Sequence, residues 1–182
     1  PCQDLSIAKQ NREGLRGARS GLFWKYVEAL EVIHPKYFLL ENVASMRNED
    51  RDAITATLKK IYPETECIMI NSALVSAQQR KRYYWTNWHV EQPQDKGILL
   101  KDILDLSLPF DRIYKNYNPQ NKKNYVQFDV SGKGYNSQQD RAFFVHTKFG
   151  CFPSARANTK IKVTDGSGFF RNMTLNECES LQ

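Results

Sequence analysis

The chain of 182 residues is 41% hydrophobic and contains 10 Phe, 9 Tyr and 3 Trp, which is enough apolar material for the core of a globular domain. It has no run of about 18 apolar residues and no charged-then-apolar leader, and its 4 Cys and 3 His lack metal-ligand spacing, so we expect an intracellular protein without a membrane partner, a disulfide framework or a bound metal. The net charge of +6 favours an anionic partner such as nucleic acid, although many basic proteins bind none.

The chain opens with PCQDLS and a polar stretch that has no apolar period. Residues 5–21 are rich in Gly, Ser, Arg and Lys, which predicts a long loop, and loops of this length usually have a function. Apolar residues then recur at helical spacing from Leu22 to Ile33, which predicts an amphipathic helix. Ser20 is the expected N-cap of this helix, and Pro35 is expected to end it.

The next segment, KYFLLENV, has the pattern of a buried strand with a polar end. Its apolar run over 37–40 breaks into Glu41 and Asn42, as expected where a parallel strand ends at the functional edge of a sheet. The sequence then predicts a helix over 50–62 and strands over 67–70 and 82–88. Strands that alternate with helices indicate an α/β sheet with crossover helices.

A change of composition near Gln92 and Pro93 marks the start of a second region. It has one short helical pattern over 98–106 and β-like pieces over 143–146 and 161–163, so we expect a small, irregular, β-containing module. Basic and tyrosine residues are interleaved in it, as a nucleic-acid surface requires, but a solvated loop face produces this pattern about as often.

Two signals near the end of the chain have a local explanation. The GSG at 166–168 lacks the strand and helix that flank a phosphate loop, so it predicts a turn. Thr174 and Glu177 have the spacing of a capping box, which predicts that a helix starts at Thr174.

Three short stretches occur in the order PCQDLS, LLENVASM and QQRKRYYW. They resemble the nucleophile, Glu-Asn-Val and Gln-x-Arg-x-Arg motifs of the DNA cytosine-5 methyltransferases. GARSGLFWKYVEAL resembles the loop-to-helix segment of that family, and RNMTLNECESLQ resembles the motif that closes its target-recognition region. The resemblance in residue type extends over 1–92 and 171–182. The region between them matches the family only in its position between these motifs.

The resemblance implies an α/β fold: a partial Rossmann-like S-adenosylmethionine-dependent methyltransferase sheet with a small irregular β-containing target-recognition module. Residues 1–92 are expected to form the C-terminal half of the catalytic domain, 93–160 the target-recognition region, and 161–182 the return to the catalytic domain. Double-stranded DNA is the expected partner, and the target-recognition region is expected to select the DNA sequence.

In this family a cysteine thiolate adds to C6 of a flipped-out cytosine, and C5 then takes the methyl group of S-adenosylmethionine. The resemblance implies that Cys2 is the nucleophile, that Glu41 contacts the ring nitrogen N3 and the exocyclic amine, and that Arg82 contacts O2. It also implies that Arg80 supports the site and that Asn42 holds the loop around Cys2.

The other implied positions concern the DNA and the cofactor. Ser6 and Arg19 match loop positions near the DNA backbone. Gln78, in the arginine motif, is expected to order the turn of that motif and to belong to the nucleic-acid-binding residues. Pro1 and Leu22 match positions that border S-adenosylmethionine.

The glycine-rich turn and the acidic strand end that hold S-adenosylmethionine in the family have no counterpart in these 182 residues. We therefore expect a fragment of a larger protein or one piece of a split enzyme, with an unpaired sheet edge and no methyl transfer by the chain alone. A complementary methyltransferase segment or a cognate restriction enzyme is a further expected partner.

Two other functions remain open. Transfer-RNA cytosine-5 methyltransferases share these motifs, but the Cys-Phe-Thr signature that they usually carry is absent from 60–90. The other alternative is a regulatory or DNA-binding relative without catalysis. The missing cofactor half favours that alternative, whereas retention of Cys2 argues against it, because a binding module does not need a thiol.

Overall fold

The structure, a computed structural model, describes residues 5, 13–17, 21–113, 120–127, 141–151 and 161–181. The chain forms two compact units. The first consists of Pro1–Asn71 and Lys81–Pro93, and the second of Ser72–Arg80 and Gln94–Gln182. The connection 72–80 therefore belongs to the second unit, although the first unit supplies the chain on both sides of it.

The first unit contains two helices and three strands in its described part. In chain order they are α1 (Leu22–Ile33), β1 (Leu39–Val43), α2 (Asn48–Ile61), β2 (Glu66–Asn71) and β3 (Lys81–Thr86). The helices and strands predicted here from apolar patterns are confirmed as elements. The predicted end of the strand at Glu41 and Asn42 is wrong, because β1 runs through both residues to Val43, and its first residue, Leu39, is 53% exposed and not buried. The expected N-cap Ser20 is wrong: Gly21 is the N-cap of α1, and its amide donates to the Gly17 carbonyl at 3.1 Å. His34, in the left-handed conformation at φ 43°, ends the helix just before Pro35.

β3 lies at the centre of a three-stranded sheet of order β1-β3-β2 and is antiparallel to both neighbours. β1 and β2 therefore run in the same direction without being paired to each other. The parallel pairing expected for the strand that carries Glu41 is wrong in this sheet, because β3 reverses after the connection 72–80 and lies between them. In the register of β1 and β3, Leu40 is paired with Trp85.

The core of the first unit is built by its helices and sheet. Trp85, Leu58 and Ile54 are at most 1% exposed, and buried residues of α1 belong to the same cluster. The indole Nε1 of Trp85 donates to Thr55 Oγ1 at 2.8 Å, which satisfies the polar atom of this buried ring. Because each buried large apolar side chain contributes about 1.5–3 kcal/mol, this core fixes the strands that carry the candidate site.

The second unit contains a five-stranded sheet. Its strands are β4 (Gln120–Asn121), β5 (Tyr125–Gln127), β6 (Arg141–Phe144), β7 (Lys162–Thr164) and β8 (Arg171–Asn172). They lie in this order; β6 and β7 are parallel, and the other described pairs are antiparallel. The β-like pieces predicted over 143–146 and 161–163 are confirmed as β6 and β7. The turn predicted at 166–168 is confirmed between β7 and β8, where Gly166 and Gly168 both have φ 97°.

The helix predicted over 98–106 is wrong. This segment forms a 3-10 turn, Leu100–Asp102. Two of its amides donate to carbonyls that follow β6, at 2.9 Å to Thr147 and at 2.7 Å to Val145. These bonds attach the 3-10 turn to a distant part of the chain, and tertiary contacts of this kind override a local helical propensity.

A buried ion pair holds the start of the last helix, α3 (Leu175–Ser180). The helix start predicted at Thr174 is confirmed by its capping box: Thr174 Oγ1 accepts from the Glu177 amide at 3.3 Å, and the Thr174 amide donates to the Glu177 carboxylate at 2.7 Å. The same carboxylate lies 2.6 Å from Arg171 Nη2 and accepts from the Asp105 amide at 2.8 Å. It therefore joins β8, α3 and the segment after the 3-10 turn.

The environment of Glu177 makes the stability of this unit depend on pH. Burial raises the pKa of its carboxyl group, but hydrogen bonds from Arg171, Thr174 and Asp105 outweigh this effect and hold the pKa at about 2. Its ordinary value is 4.5. The depressed pKa therefore contributes stability that is present above pH 4.5 and is lost as the pH falls towards 2.

We expect Glu177→Gln to lower the free energy of unfolding by about 3–5 kcal/mol at neutral pH, because it leaves the buried Arg171 guanidinium without its counter-charge. Urea unfolding followed by circular dichroism measures this loss. Glu179→Gln, at an exposed position of the same helix, is the matched control and should be close to wild type. The difference between wild type and Glu177→Gln should shrink as the pH is lowered through 4.5, and a constant difference would contradict this account.

Candidate active site

Glu41 and Arg82 form an ion pair across two neighbouring strands. Val43 of β1 is paired with Arg82 of β3, and Glu41 lies two residues earlier on β1, so it is the diagonal neighbour of Arg82 on one face of the sheet. Arg82 Nε lies 2.8 Å from Glu41 Oε1, and Arg82 Nη1 donates to the Lys81 carbonyl at 2.8 Å. The Glu41 side chain is 41% exposed and the Arg82 side chain 13%. Because a guanidinium carries several N–H donors, Arg82 can hold the carboxylate and also donate to a ligand.

Asn42 is buried next to this pair in the chain. Its Oδ1 accepts from the Val43 amide at 2.8 Å, which orders the end of β1. The contact expected between Asn42 and the loop around Cys2 involves residues outside the described part of the chain. That role of Asn42 therefore stays a prediction.

A cavity of about 190 Å³ adjoins β1, and most of its wall is apolar. Residues of its wall include Leu5, Leu15, Leu22, Leu40, Glu41 and Asn42. Leu22, which the resemblance places beside the cofactor, is 58% exposed and thus available to a ligand. Tyr26, also in the wall, donates its hydroxyl proton to the Leu39 carbonyl at 3.2 Å. Burial raises the pKa of Tyr26, so this group stays a neutral donor.

Four expected site residues, Pro1, Cys2, Ser6 and Arg19, lie outside the described residues, and their roles stay predictions. Leu5, three residues after Cys2, is described. It is 2% exposed, belongs to the core of the first unit and lines the cavity. Sequence reasoning missed Leu5, since its only signal is an apolar side chain inside a polar opening.

Gln78 and Arg80 belong to the second unit, whereas Glu41, Asn42 and Arg82 belong to the first. Gln78 is 3% exposed, and its Nε2 donates to the Leu181 carbonyl at 3.1 Å. This burial favours the expected role in ordering the turn, and a direct contact with nucleic acid stays a prediction. Arg80 is exposed, with its Nη1 3.9 Å from the Sγ atom of Cys151.

The described residues contain neither a metal-ligand cluster nor a helix suited to a membrane. Within them, no three His, Cys, Asp or Glu side chains are grouped as metal ligands. No helix in these parts of the chain is long and apolar enough to span a bilayer.

The chain is a mixed α/β protein with two sheets, and a carboxylate and a guanidinium meet beside a cavity in its first unit. This combination of fold and site is consistent with a methyltransferase domain. The chain belongs to the C-5 cytosine-specific DNA methylase family, whose family model matches residues 1–182. The resemblance drawn from the three motifs is thereby confirmed. The Rossmann-like arrangement of the full sheet stays a prediction.

The chain is similar to several curated methyltransferases. It is 31% identical over 149 residues to the type II methyltransferase M.Sau3AI of Staphylococcus aureus, a match that covers 71% of this chain and 36% of that protein. It is 30% identical over 119 residues to the type II methyltransferase M.HpaII of Haemophilus parainfluenzae, covering 57% and 33%. It is 33% identical over 89 residues to the orphan methyltransferase M.SPRI of Bacillus phage SPR, covering 46% and 20%. The chain thus spans about a third of the length of these relatives, or less.

If the Gln78 side chain orders the connection 72–80, Gln78→Ala should lower the free energy of unfolding by about 1–3 kcal/mol, because it removes the donor to the Leu181 carbonyl. Gln79→Ala is the matched control, since Gln79 is exposed and uses its backbone amide to bond to the Phe149 carbonyl. Urea unfolding followed by circular dichroism compares the two variants. A stable Gln78→Ala protein with weakened DNA binding would instead assign this side chain to the nucleic acid.

Proposed function

We propose that the protein to which this chain belongs methylates C5 of cytosine in double-stranded DNA. The observation that carries the proposal is the Glu41–Arg82 ion pair beside a cavity that Leu5 also lines. Membership of the C-5 cytosine-specific DNA methylase family supports DNA as the substrate. An intracellular location follows from that substrate.

Cys2 is the proposed nucleophile. Leu5 follows it by three residues, and three residues span at most about 11 Å. Because buried Leu5 lines the same cavity as Glu41, this short tether supports a role for Cys2 at that cavity. The Cys2 thiolate would add to C6 of a flipped-out cytosine, forming a C–S bond and moving the electron pair of the C5–C6 double bond onto C5, which is conjugated with N3 and O2.

Glu41 and Arg82 would stabilise the charge that this addition creates. The displaced electron density reaches N3 and O2 of the ring. Glu41 would share a proton with N3 and accept a hydrogen bond from the exocyclic amine, and Arg82 would donate to O2. Their ion pair, at 2.8 Å, holds both groups in place before a ligand binds, so little reorganisation is needed during the reaction. Arg80 would support the site, and Asn42 would hold the loop around Cys2.

S-adenosylmethionine would supply the electrophilic methyl group that C5 takes, and the electron pair of the broken S–CH₃ bond would stay on the departing thioether sulfur. Leu22 fits a position beside it, because it is an exposed leucine in an apolar wall. Pro1 is proposed to border the cofactor as well. After C5 has reacted, a base removes the C5 proton, the electron pair restores the C5–C6 double bond, and the Cys2 thiolate leaves.

The remaining roles extend beyond this chain. Ser6 and Arg19 are proposed to contact DNA phosphates. Residues 93–160 are proposed to select the DNA sequence, and residues 1–92 and 161–182 on either side of them to belong to the catalytic domain. Since the chain spans about a third of the first relative's length, methyl transfer is proposed for the whole protein and not for this chain alone. A complementary methyltransferase segment would complete the site, and a cognate restriction enzyme is a further proposed partner.

A covalent-trapping assay with the intact reading frame tests the proposal, because fluorine at C5 blocks removal of a proton and retains the adduct. Duplex DNA or transfer RNA containing 5-fluorocytosine is incubated with the protein and S-adenosylmethionine and resolved on a denaturing gel. We expect a band on DNA that disappears in Cys2→Ser. A Cys2-dependent band on RNA alone would assign the protein to the transfer-RNA methyltransferases. No band from a folded, cofactor-binding protein would make it a binding or regulatory relative.

Glu41→Gln should slow adduct formation on DNA by about 10²- to 10³-fold, because it removes a group that stabilises the developing charge. Stability should change little, since a partly exposed ion pair contributes about 0–1 kcal/mol. Glu66→Gln is the matched control: Glu66 is an exposed glutamate of the same sheet and pairs with His89. Single-turnover trapping gives the rates, and a wild-type rate in Glu41→Gln would refute the role of this carboxyl group.

A further inference from the structure

A second polar contact in the first unit holds the turn at Gly14 and Leu15, which precedes α1. Residues Gly14–Arg16 form a 3-10 turn. The Leu15 amide donates to Asp50 Oδ1 at 3.2 Å, and Arg47 Nε donates to Asp50 Oδ2 at 3.0 Å. We call the arrangement of Gly14, Leu15, Arg47 and Asp50 the Asp50 clasp.

Gly14 is required by the geometry of the clasp. Its φ is +61°, a conformation that side-chain-bearing residues rarely adopt. A Cβ atom at this position would collide with Arg47 Nη2 and lie 2.5 Å from Asp50 Oδ1. The ion pair therefore packs directly against the Cα atom of a glycine, and no larger residue fits without displacing it.

Asp50 is the buried partner of the clasp, whereas the Arg47 side chain is 47% exposed. Asp50 is 8% exposed, and a carboxylate is buried in proteins only where its oxygens are satisfied. Each of its two oxygens accepts one of the hydrogen bonds of the clasp. Asp52, two residues later on α2, is 64% exposed in its side chain and pairs with Arg51. Two neighbouring aspartates thus differ in environment, and only Asp50 contacts the turn at Gly14 in the described part of the chain.

The clasp and Leu5 lie at opposite ends of the polar segment 6–12. Leu5 and Leu15 line the same cavity as Glu41. α2, which carries Asp50, follows directly on β1, which carries Glu41. Two described points of the chain before α1 therefore lie beside the Glu41 strand: Leu5, through its apolar contacts, and the turn at Gly14, through the Asp50 clasp.

We propose that Asp50 is a positioning residue for methyl transfer: by fixing the turn at Gly14 and Leu15 to α2, it sets the placement of the Cys2 segment relative to Glu41. This inference rests on the proposed function. Asp50 acts through the backbone that it holds by its hydrogen bond from the Leu15 amide. A catalytic group displaced by about 1 Å can lose about 10²-fold in rate, so a small shift of the turn is enough to be measured.

The test uses Asp50→Asn in the intact protein, which keeps the shape of the side chain and removes its charge. The rate of Cys2-dependent adduct formation on 5-fluorocytosine duplex DNA, at single turnover, should fall about 10- to 100-fold, while the Kd for DNA and the melting temperature change little. Asp52→Asn is the matched control and should keep the wild-type rate. Gly14→Ala should reproduce the loss, because its Cβ atom displaces the clasp.

Limited trypsinolysis gives a readout that does not depend on activity. Lys9, Arg12 and Arg16 provide cleavage sites at or near the turn. Cleavage there should be several-fold faster in Asp50→Asn than in wild type at a temperature where both remain folded. Faster cleavage together with a slower adduct supports the proposal.

Three results would overturn the inference alone: a wild-type adduct rate in Asp50→Asn, a slower adduct without faster cleavage, or a rate loss that only follows the fraction of unfolded protein. A wild-type protein that forms no adduct would overturn the proposed function, and the positioning role of Asp50 with it. The two failures are therefore distinguished by the wild-type lane of the same gel.

Discussion

The pairing of β1 with β3 is the constraint on which the candidate site depends. Glu41 and Arg82 meet because Val43 is paired with Arg82; a shift of one residue would turn one of the two side chains to the opposite face of the sheet. Trp85, paired with Leu40 and completely buried, holds this register, since any slip would expose the indole and break its hydrogen bond. The geometry of a partly exposed charged pair is thus determined by an apolar side chain three residues along the same strand.

Local patterns predicted the elements of the first unit because apolar spacing and burial agree there. The stripe on α1 that repeats at helical spacing is the stripe that is buried, as Phe23, Val27 and Leu30 show. The same reasoning failed over 98–106, where the apolar spacing is helical but the amides bond to carbonyls at Val145 and Thr147. The orientation of β3 was also missed, since it depends on a connection that belongs to the second unit, and no local pattern contains that information.

The family motifs nominated Glu41 and Arg82 for a common site because their residue types and order are specific, and the structure shows the two side chains in contact. They could not show that the two side chains are paired before a ligand binds. Leu5 and Asp50 were not predicted from the sequence, for a physical reason. Leu5 is a single leucine in a polar opening, and Asp50 is one of several acidic residues at the start of α2. Their burial in the structure distinguishes them from the residues around them in sequence.

The second unit is discontinuous along the chain, because the connection 72–80 lies between β2 and β3 and yet belongs to it. A recombination event that replaced only the part after Pro93 would combine the original connection 72–80 with a different sequence. The carbonyl that accepts from Gln78 would then belong to that different sequence. Inheritance of this unit as a module therefore requires that two separate segments, 72–80 and the part after Pro93, be exchanged together. The hydrogen bond from Gln78 to the Leu181 carbonyl joins two positions that are 103 residues apart, so the two segments depend on each other across most of the second half of the chain.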